Sequence, residues 1–202
     1  MPTVLDQIQA NSDRSCHFER GRKSEVAIVL SCPGSREEEN IRPASGTTGK
    51  NLDLLLLKLG PLVGIPNLAR SDVTVTNAFT GVEYKARTGR SEASFAEVRE
   101  NDNVNRLNAE LADISDLVIF CGARATAVSK LVVLRPGTKA ACIPHLGMQG
   151  INQIAGDVGG APILSVAESK AAGDKRSAKE IGRDNTSKRI EVLVQLALQQ
   201  IK

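Results

Sequence analysis

Apolar residues along the chain fall into short unbroken runs, set apart by polar stretches that Pro and Gly punctuate. Val26–Leu30 reads VAIVL, a run of strand length that predicts a strand buried on both faces. It ends at Cys32-Pro33-Gly34, a sharp turn, and Arg36–Arg42 reads as a charged loop. Gly46-Thr47-Thr48-Gly49 then precedes Leu52, Leu54–Leu57 and Leu59, an apolar helix stopped by Gly60-Pro61. Val73–Thr76 predicts a second strand ending at Asn77, and Thr80–Ser94 a long polar loop. A helix is predicted from Phe95 to Leu111, with Val104, Leu107 and Leu111 on one face. Leu117–Phe120 predicts a third buried strand closed by Cys121-Gly122, and Arg124–Leu131 a helix. Ala140–Pro144 predicts a fourth strand ending at His145, and Pro162–Val166 a fifth. The last helix is predicted over Thr186–Ile201 with Asn185 as its N-cap. Near the start, Val4–Ile8 predicts a short helix and Asn11–Ser24 a polar segment; Glu168–Asp184 is polar, with an exposed loop at Ala171–Arg176.

Strands that alternate with helices predict βαβ units. The expected fold is therefore α/β: a three-layer sandwich with a central, mostly parallel, four- to five-stranded sheet flanked by helices, in one domain over residues 1–202. Such sheets bind ligands just outside the carboxyl ends of their strands. Here those positions are Ser31–Gly34, Asn77, Cys121-Gly122 and His145, which places a candidate site by topology alone.

Composition sharpens this picture at a few points. With no Trp, one Tyr and four Phe, any base-stacking role has a short list of candidates: Phe18, Phe79, Tyr84, Phe95 and Phe120. The net charge of +3 leans only weakly toward a polyanion. Local clusters say more: Lys85, Arg87 and Arg90 in the polar loop, and Lys170 to Arg189 near the C-terminus. Either cluster is a phosphate-contacting patch or a solvated face. Cys16, Cys32, Cys121 and Cys142 form no CxxC pair, so no zinc site is expected. No apolar run is long enough to span a membrane, and the expectation is a cytoplasmic, monomeric protein with reduced thiols. Gly49-Lys50 does not make a phosphate-binding P-loop, because the G-x-x-x-x-G-K-[ST] spacing is absent.

The stretch Val26–Leu59 reads VAIVLSCPGSREEENIRPASGTTGKNLDLLLLKL. With Pro33, Gly34, Glu37, Arg42, Pro43, Gly46, Gly49, Leu52 and Asp53 in order, it resembles the first motif of the uracil-DNA glycosylase superfamily, particularly its thermostable family 4 branch. That motif is a strand, G-E-x-P-G, a Glu three residues on, R-P-F-V-G-x-x-G and a Leu-rich helix. Val73–Asn77 (VTVTN) resembles the family strand that ends in a pyrimidine-reading Asn. Leu117–Ala125 (LVIFCGARA) resembles its V-I-x-L-G-x-x-A segment, and Pro144–Gly147 its second motif, usually H-P-S. The likeness covers roughly Val26 to Asn152. The departures are specific: Ser31 stands at the acidic position, Ala44 at the Phe that stacks on the base, and the second motif lacks its Pro and Ser. The cysteines do not match the four of the family 4 iron–sulfur cluster, so neither a cluster nor any other cofactor is expected.

The resemblance implies a monofunctional DNA glycosylase that hydrolyses the N-glycosidic bond of a flipped-out base. Asn77 would read the base edge with a coplanar donor and acceptor. His145 would stabilise the oxyanion of the departing base, while Ser31 and Glu37 would surround the attacking water. Cys32, Pro33, Gly34, Ala44 and Phe79 would complete the base pocket. Arg42, Lys85, Arg87, Arg90, Gly147 and Gln149 would contact DNA. Each also has a plainer reading: a strand-end cap for Asn77, a packing residue for His145 and Phe79, a solvated acidic run for Glu37. Ala44 would leave room for a pyrimidine larger than uracil, such as hydroxymethylated or glucosylated cytosine, and so for a part in antiviral defence against phage DNA. Two other readings stand beside this one. The first is a catalytically inactive relative that binds nucleic acid or protein. The second is a hydrolase of free nucleosides on the same scaffold.

Overall fold

The computed structural model describes residues 14–201. The expected Val4–Ile8 helix lies outside them. Five strands form one sheet in the order β1-β3-β2-β4-β5. They are β1 (Phe18–Glu19), β2 (Val26–Leu30), β3 (Thr74–Asn77), β4 (Leu117–Cys121) and β5 (Lys139–Ile143). β2 pairs in parallel with β3 and β4, and β4 with β5; only the edge strand β1 runs antiparallel, on β3. This is the expected α/β architecture, with helices on both faces.

Alternation within the buried strands divides the core in two. Val26, Ile28 and Leu30 of β2 and Ile119 and Cys121 of β4 face helix α2 (Gly46–Leu59), through Leu52, Leu55, Leu56 and Leu59. The last helix, α9 (Ala178–Gln200), packs on the same side through Ile190, Leu193, Val194 and Ala197. Ala27 and Val29 of β2 and Val118 and Phe120 of β4 face the other way. They meet Val98 of α4 (Phe95–Val98), Leu107 and Leu111 of α5 (Asn101–Leu111), and Ala125 and Val128 of α6 (Ala123–Ser129). The connection from β2 to β3 runs to one side of β2, and the chain then crosses to β4 on the other side. The strand order thus reverses beside β2, where loops diverge and open a crevice at the carboxyl ends of the strands.

Several expectations are corrected. Arg36–Arg42 is mostly helix: α1 covers Ser35–Asn40, because the Glu37 carboxylate reaches back to accept the Gly34 N–H at 3.0 Å. α2 begins at Gly46, so the Gly46–Gly49 segment is its first turn. The 80–94 loop contains a short helix, α3 (Lys85–Thr88). The predicted Phe95–Leu111 helix is broken, since Asn103 Nδ2 donates to the Val98 carbonyl at 2.8 Å, capping α4. Pro162–Val166 is not a fifth strand. Pro162 ends a two-strand hairpin, β6 (Asp157–Val158) and β7 (Ala161–Pro162), turned by Gly159 and Gly160 at positive φ. Ser165 then caps α8 (Val166–Ala171), and β1, inside a stretch expected to be merely polar, is the fifth strand. The last helix begins at Ala178, capped by Ser177 with Glu180. Asn185 is therefore interior and donates to the Leu164 carbonyl at 2.7 Å. The serine-x-x-glutamate pairs at 94–97, 165–168 and 177–180 were the overlooked signals. α7 (Met148–Asn152) follows β5. No helix among the described residues is long and apolar enough to cross a membrane.

Candidate active site

At the carboxyl ends of β2 and β3 lies a cavity of about 200 Å³. Ser31, Cys32, Glu37, Ala44, Asn77 and His145 line it, together with Gly34, Thr48, Glu83 and Glu92. It shares Ser91, Glu92 and His145 with a groove of about 1030 Å³ that runs past Gly122 to Met148, Gln149 and Gln153. Another cavity, of about 600 Å³, opens at the opposite, amino ends of β4 and β5; apolar Leu62, Val63, Ile65, Leu198 and Ile201 dominate its lining, with Asp116 and Lys139 as its charged members.

Asn77 is the last residue of β3 and only 1% exposed. Its Nδ2 donates to the His17 carbonyl at 3.2 Å, and Arg106 Nη2 donates to its main-chain oxygen at 2.9 Å. Arg106 is itself tied to Glu110, which Thr76 also reaches. The side-chain amide is thus held from the side of β1 and the main chain from α5, while the residue lines the cavity.

His145 follows β5 and is clamped on several sides. The Gly147 N–H donates to Nδ1 at 2.9 Å, which leaves the ring hydrogen on Nε2. Asn51 Nδ2 donates to the neighbouring Leu146 carbonyl at 2.7 Å, tying this loop to α2. Gly122 and Gly147 pass so close that a Cβ on either would stand 3.1 Å from His145 Cβ or 2.9 Å from Nδ1. Burial pushes His145 below its ordinary value of 6.5, against the opposing pull of the Glu92 and Glu37 carboxylates. The imidazole is therefore neutral at neutral pH and presents an N–H donor. The same depression has a stability consequence. Below about pH 6.5 the unfolded chain takes up a proton that the folded chain resists, so this contribution is full above that pH. It is lost as the pH falls through the lower folded value. Melting temperatures at about pH 7.5 and about pH 5.5 should differ less in His145→Gln than in the wild type; equal differences would remove His145 as the source.

The remaining catalytic candidates are arranged differently than expected. Glu37 lines the cavity, but its Oε2 accepts from Gly34 N–H at 3.0 Å and its Oε1 from Ser45 N–H at 2.8 Å. It staples the 33–34 turn to the start of α2. Ser31 is buried, and its Oγ donates to Glu92 Oε1 at 3.4 Å. Burial raises the Cys32 thiol to about 11, so it is a neutral wall rather than a nucleophile. Glu83, buried within the 80–94 loop, is held by Arg90 on both oxygens and by Thr88.

Two members of the expected base pocket are elsewhere. Pro33 is buried and gives its carbonyl to Glu83 N–H at 2.9 Å, and Phe79 packs against the second core cluster. Neither they nor any other Phe or Tyr among the described residues lines the cavity. Ala44 does line it, with φ at +50°. Arg70 fixes that conformation by donating to the carbonyls of both Pro43 and Ala44.

Most of the expected DNA-contacting cations are engaged inside the protein. Arg42 pairs with Glu19 at 2.9 Å, Arg87 with Glu38, and Arg90 with Glu83 and Glu97. Lys85 is exposed on α3, and Gln149 is exposed beside the half-buried Gly147 at the groove. Near the C-terminus, Arg176 and Lys188 both pair with Asp184. The sequence reading missed Glu92, which lies in a featureless polar stretch, and Arg124, whose Nη2 stands 3.6 Å from Glu92 Oε2. What marks Glu92 is a carboxylate at the junction of the cavity and the groove, a position it shares with Ser91 and His145. Among the described residues no cluster of three or more His, Cys, Asp or Glu could hold a metal ion. Comparison with protein-family models and with curated proteins found no match.

Proposed function

We propose that this chain is a DNA N-glycosylase that takes a flipped-out pyrimidine into the cavity and releases it by hydrolysis. The observation that carries this reading is the convergence of a buried, braced Asn77 amide and a neutral His145 N–H donor on one cavity of about 200 Å³ at the strand carboxyl ends. That volume is below the roughly 300–1,000 Å³ of typical drug-sized sites and suits a single base. Asn77 would discriminate the base by its edge, and the His145 N–H would meet negative charge on the departing base oxygen. Ala44 and Cys32 form small walls. A substituent on the base would extend past Ser91 and His145 into the groove, because the cavity itself has no room for a sugar. The partner is DNA, held along the groove edge where Met148 is 48% exposed, and the protein acts as a cytoplasmic monomer without a cofactor.

One observation favours the reading as an inactive relative. Glu37, the carboxylate that the family pattern suggests, has both oxygens occupied by main-chain N–H groups. Base release separates the two. The protein is incubated with uracil-containing DNA and with phage DNA carrying hydroxymethylated or glucosylated cytosine, and free bases are read by mass spectrometry. A released base with alkali-labile abasic sites is expected, and Asn77→Asp should lower its rate at least about 100-fold. DNA binding without release from any substrate would instead establish the inactive reading, and release from free nucleosides alone would point to a nucleoside hydrolase.

A further inference from the structure

We infer that Glu92 supplies the carboxylate that bond cleavage needs, delivered from the 80–94 loop rather than from the end of β2; this rests on the glycosylase reading above. Among the described residues, three glutamates line the cavity: Glu37, Glu83 and Glu92. Glu37 is spent on the Gly34 and Ser45 N–H groups, and Glu83 on Arg90 and Thr88. Among the described residues Glu92 has only two long contacts, Ser31 Oγ at 3.4 Å and Arg124 Nη2 at 3.6 Å. Its lone pairs remain open to a water or to a positively charged sugar. It stands where the cavity meets the groove, so it borders both the base and the strand that carries it.

The elements behind Glu92 hold it in place. Arg124 is anchored by its Nε donating to the Ala93 carbonyl at 2.6 Å, and its guanidinium lies 3.9 Å over the Phe95 ring. Ser31 occupies the end of β2 where the resemblance expects an acid. Here its hydroxyl aims a carboxylate borne on another segment, which gives a physical role to the substitution at that position.

The chemistry balances as a hydrolysis. The C1′–N bond breaks, and its electron pair leaves with the base, whose oxygen accepts the His145 Nε2–H hydrogen bond. Positive charge spreads over C1′ and the ring oxygen of the sugar, facing the Glu92 carboxylate. A water oxygen bonds to C1′ and gives one proton to Glu92, which passes it to the departed base. The products are the free base and an abasic site.

The test is single-turnover base release by the wild type, Glu92→Gln and Glu92→Asp, with DNA affinity measured in parallel by fluorescence anisotropy. Glu92→Gln should slow release at least about 100-fold at unchanged Kd, and Glu92→Asp should recover part of the rate. Circular dichroism verifies that both variants are folded, and the partial rate of Glu92→Asp separates a carboxylate role from a structural one. If the wild type releases base and Glu92→Gln matches it within threefold, the assignment is overturned while the glycosylase reading stands. If the wild type releases no base from any substrate, both fall together.

Discussion

His145→Ala is expected to slow base release by about 100- to 1,000-fold, the cost of removing one preorganised donor to a developing oxyanion. The fold directs this donor with unusual economy. The Gly147 N–H takes Nδ1, so the ring hydrogen sits on Nε2 and no tautomer search is needed. Burial keeps the ring neutral despite two nearby carboxylates. A cation here would break the Gly147 bond, because both ring nitrogens would then be donors. The loss should appear in kcat, with DNA affinity nearly unchanged, since the interaction strengthens only as the base departs. His145→Gln retains an amide donor and should recover part of the rate. A fall of less than fivefold for His145→Ala would remove it from the mechanism.

Gly49→Ala should damage both stability and activity, although it adds a single methyl group far from any bond being broken. A Cβ at Gly49 would overlap the Ala44 carbonyl oxygen and stand 2.8 Å from Arg70 Nη1. Neither neighbour can yield freely. The Ala44 carbonyl is held by Arg70, and Ala44 itself sits at positive φ in the cavity wall. Burial lowers the basicity of Arg70 and the neighbouring Arg42 charge lowers it further, against the pull of Glu19 and Asp53. Overpacking of this kind costs about 1–3 kcal/mol, which at this chain length lowers Tm by roughly 2–12 °C. The first turn of α2 must move, taking the cavity wall with it, so base release should fall as well. Gly182→Ala is the control: it lies in α9 with nothing within 4 Å of the added Cβ, and should hold or raise Tm. A Gly49→Ala protein that melts with the wild type would show that the close approach is not a real constraint.

How much of this was legible in advance depends on the range of the interaction. β2 and β4 were readable because strands buried on both faces need unbroken apolar runs. Their chain order with helices between them implied a parallel sheet, and that topology alone pointed to Ser31, Asn77 and His145. All three line one cavity. Helix boundaries were less legible, because short-range capping was read past. Ser94–Glu97 and Ser177–Glu180 each start a helix, and Asn185, read as a cap, is an interior residue bonded to Leu164. β1 was invisible, since two half-buried residues have no period to detect and are a strand only because β3 lies beside them.

By itself, then, the sequence determined the layered α/β class and the strand ends where chemistry could gather, because burial and turn signals act over a few residues. The tertiary structure alone decided which side chains are available there. Arg42, Arg87 and Arg90 looked like free cations, yet carboxylates distant or offset in sequence engage them. Glu37 looked like a base and is a staple, while Glu92, unremarkable in a polar loop, reaches the cavity with open lone pairs. A charge is spent or free according to what folding places within hydrogen-bond reach, and partners separated by a whole loop leave no pattern in the chain.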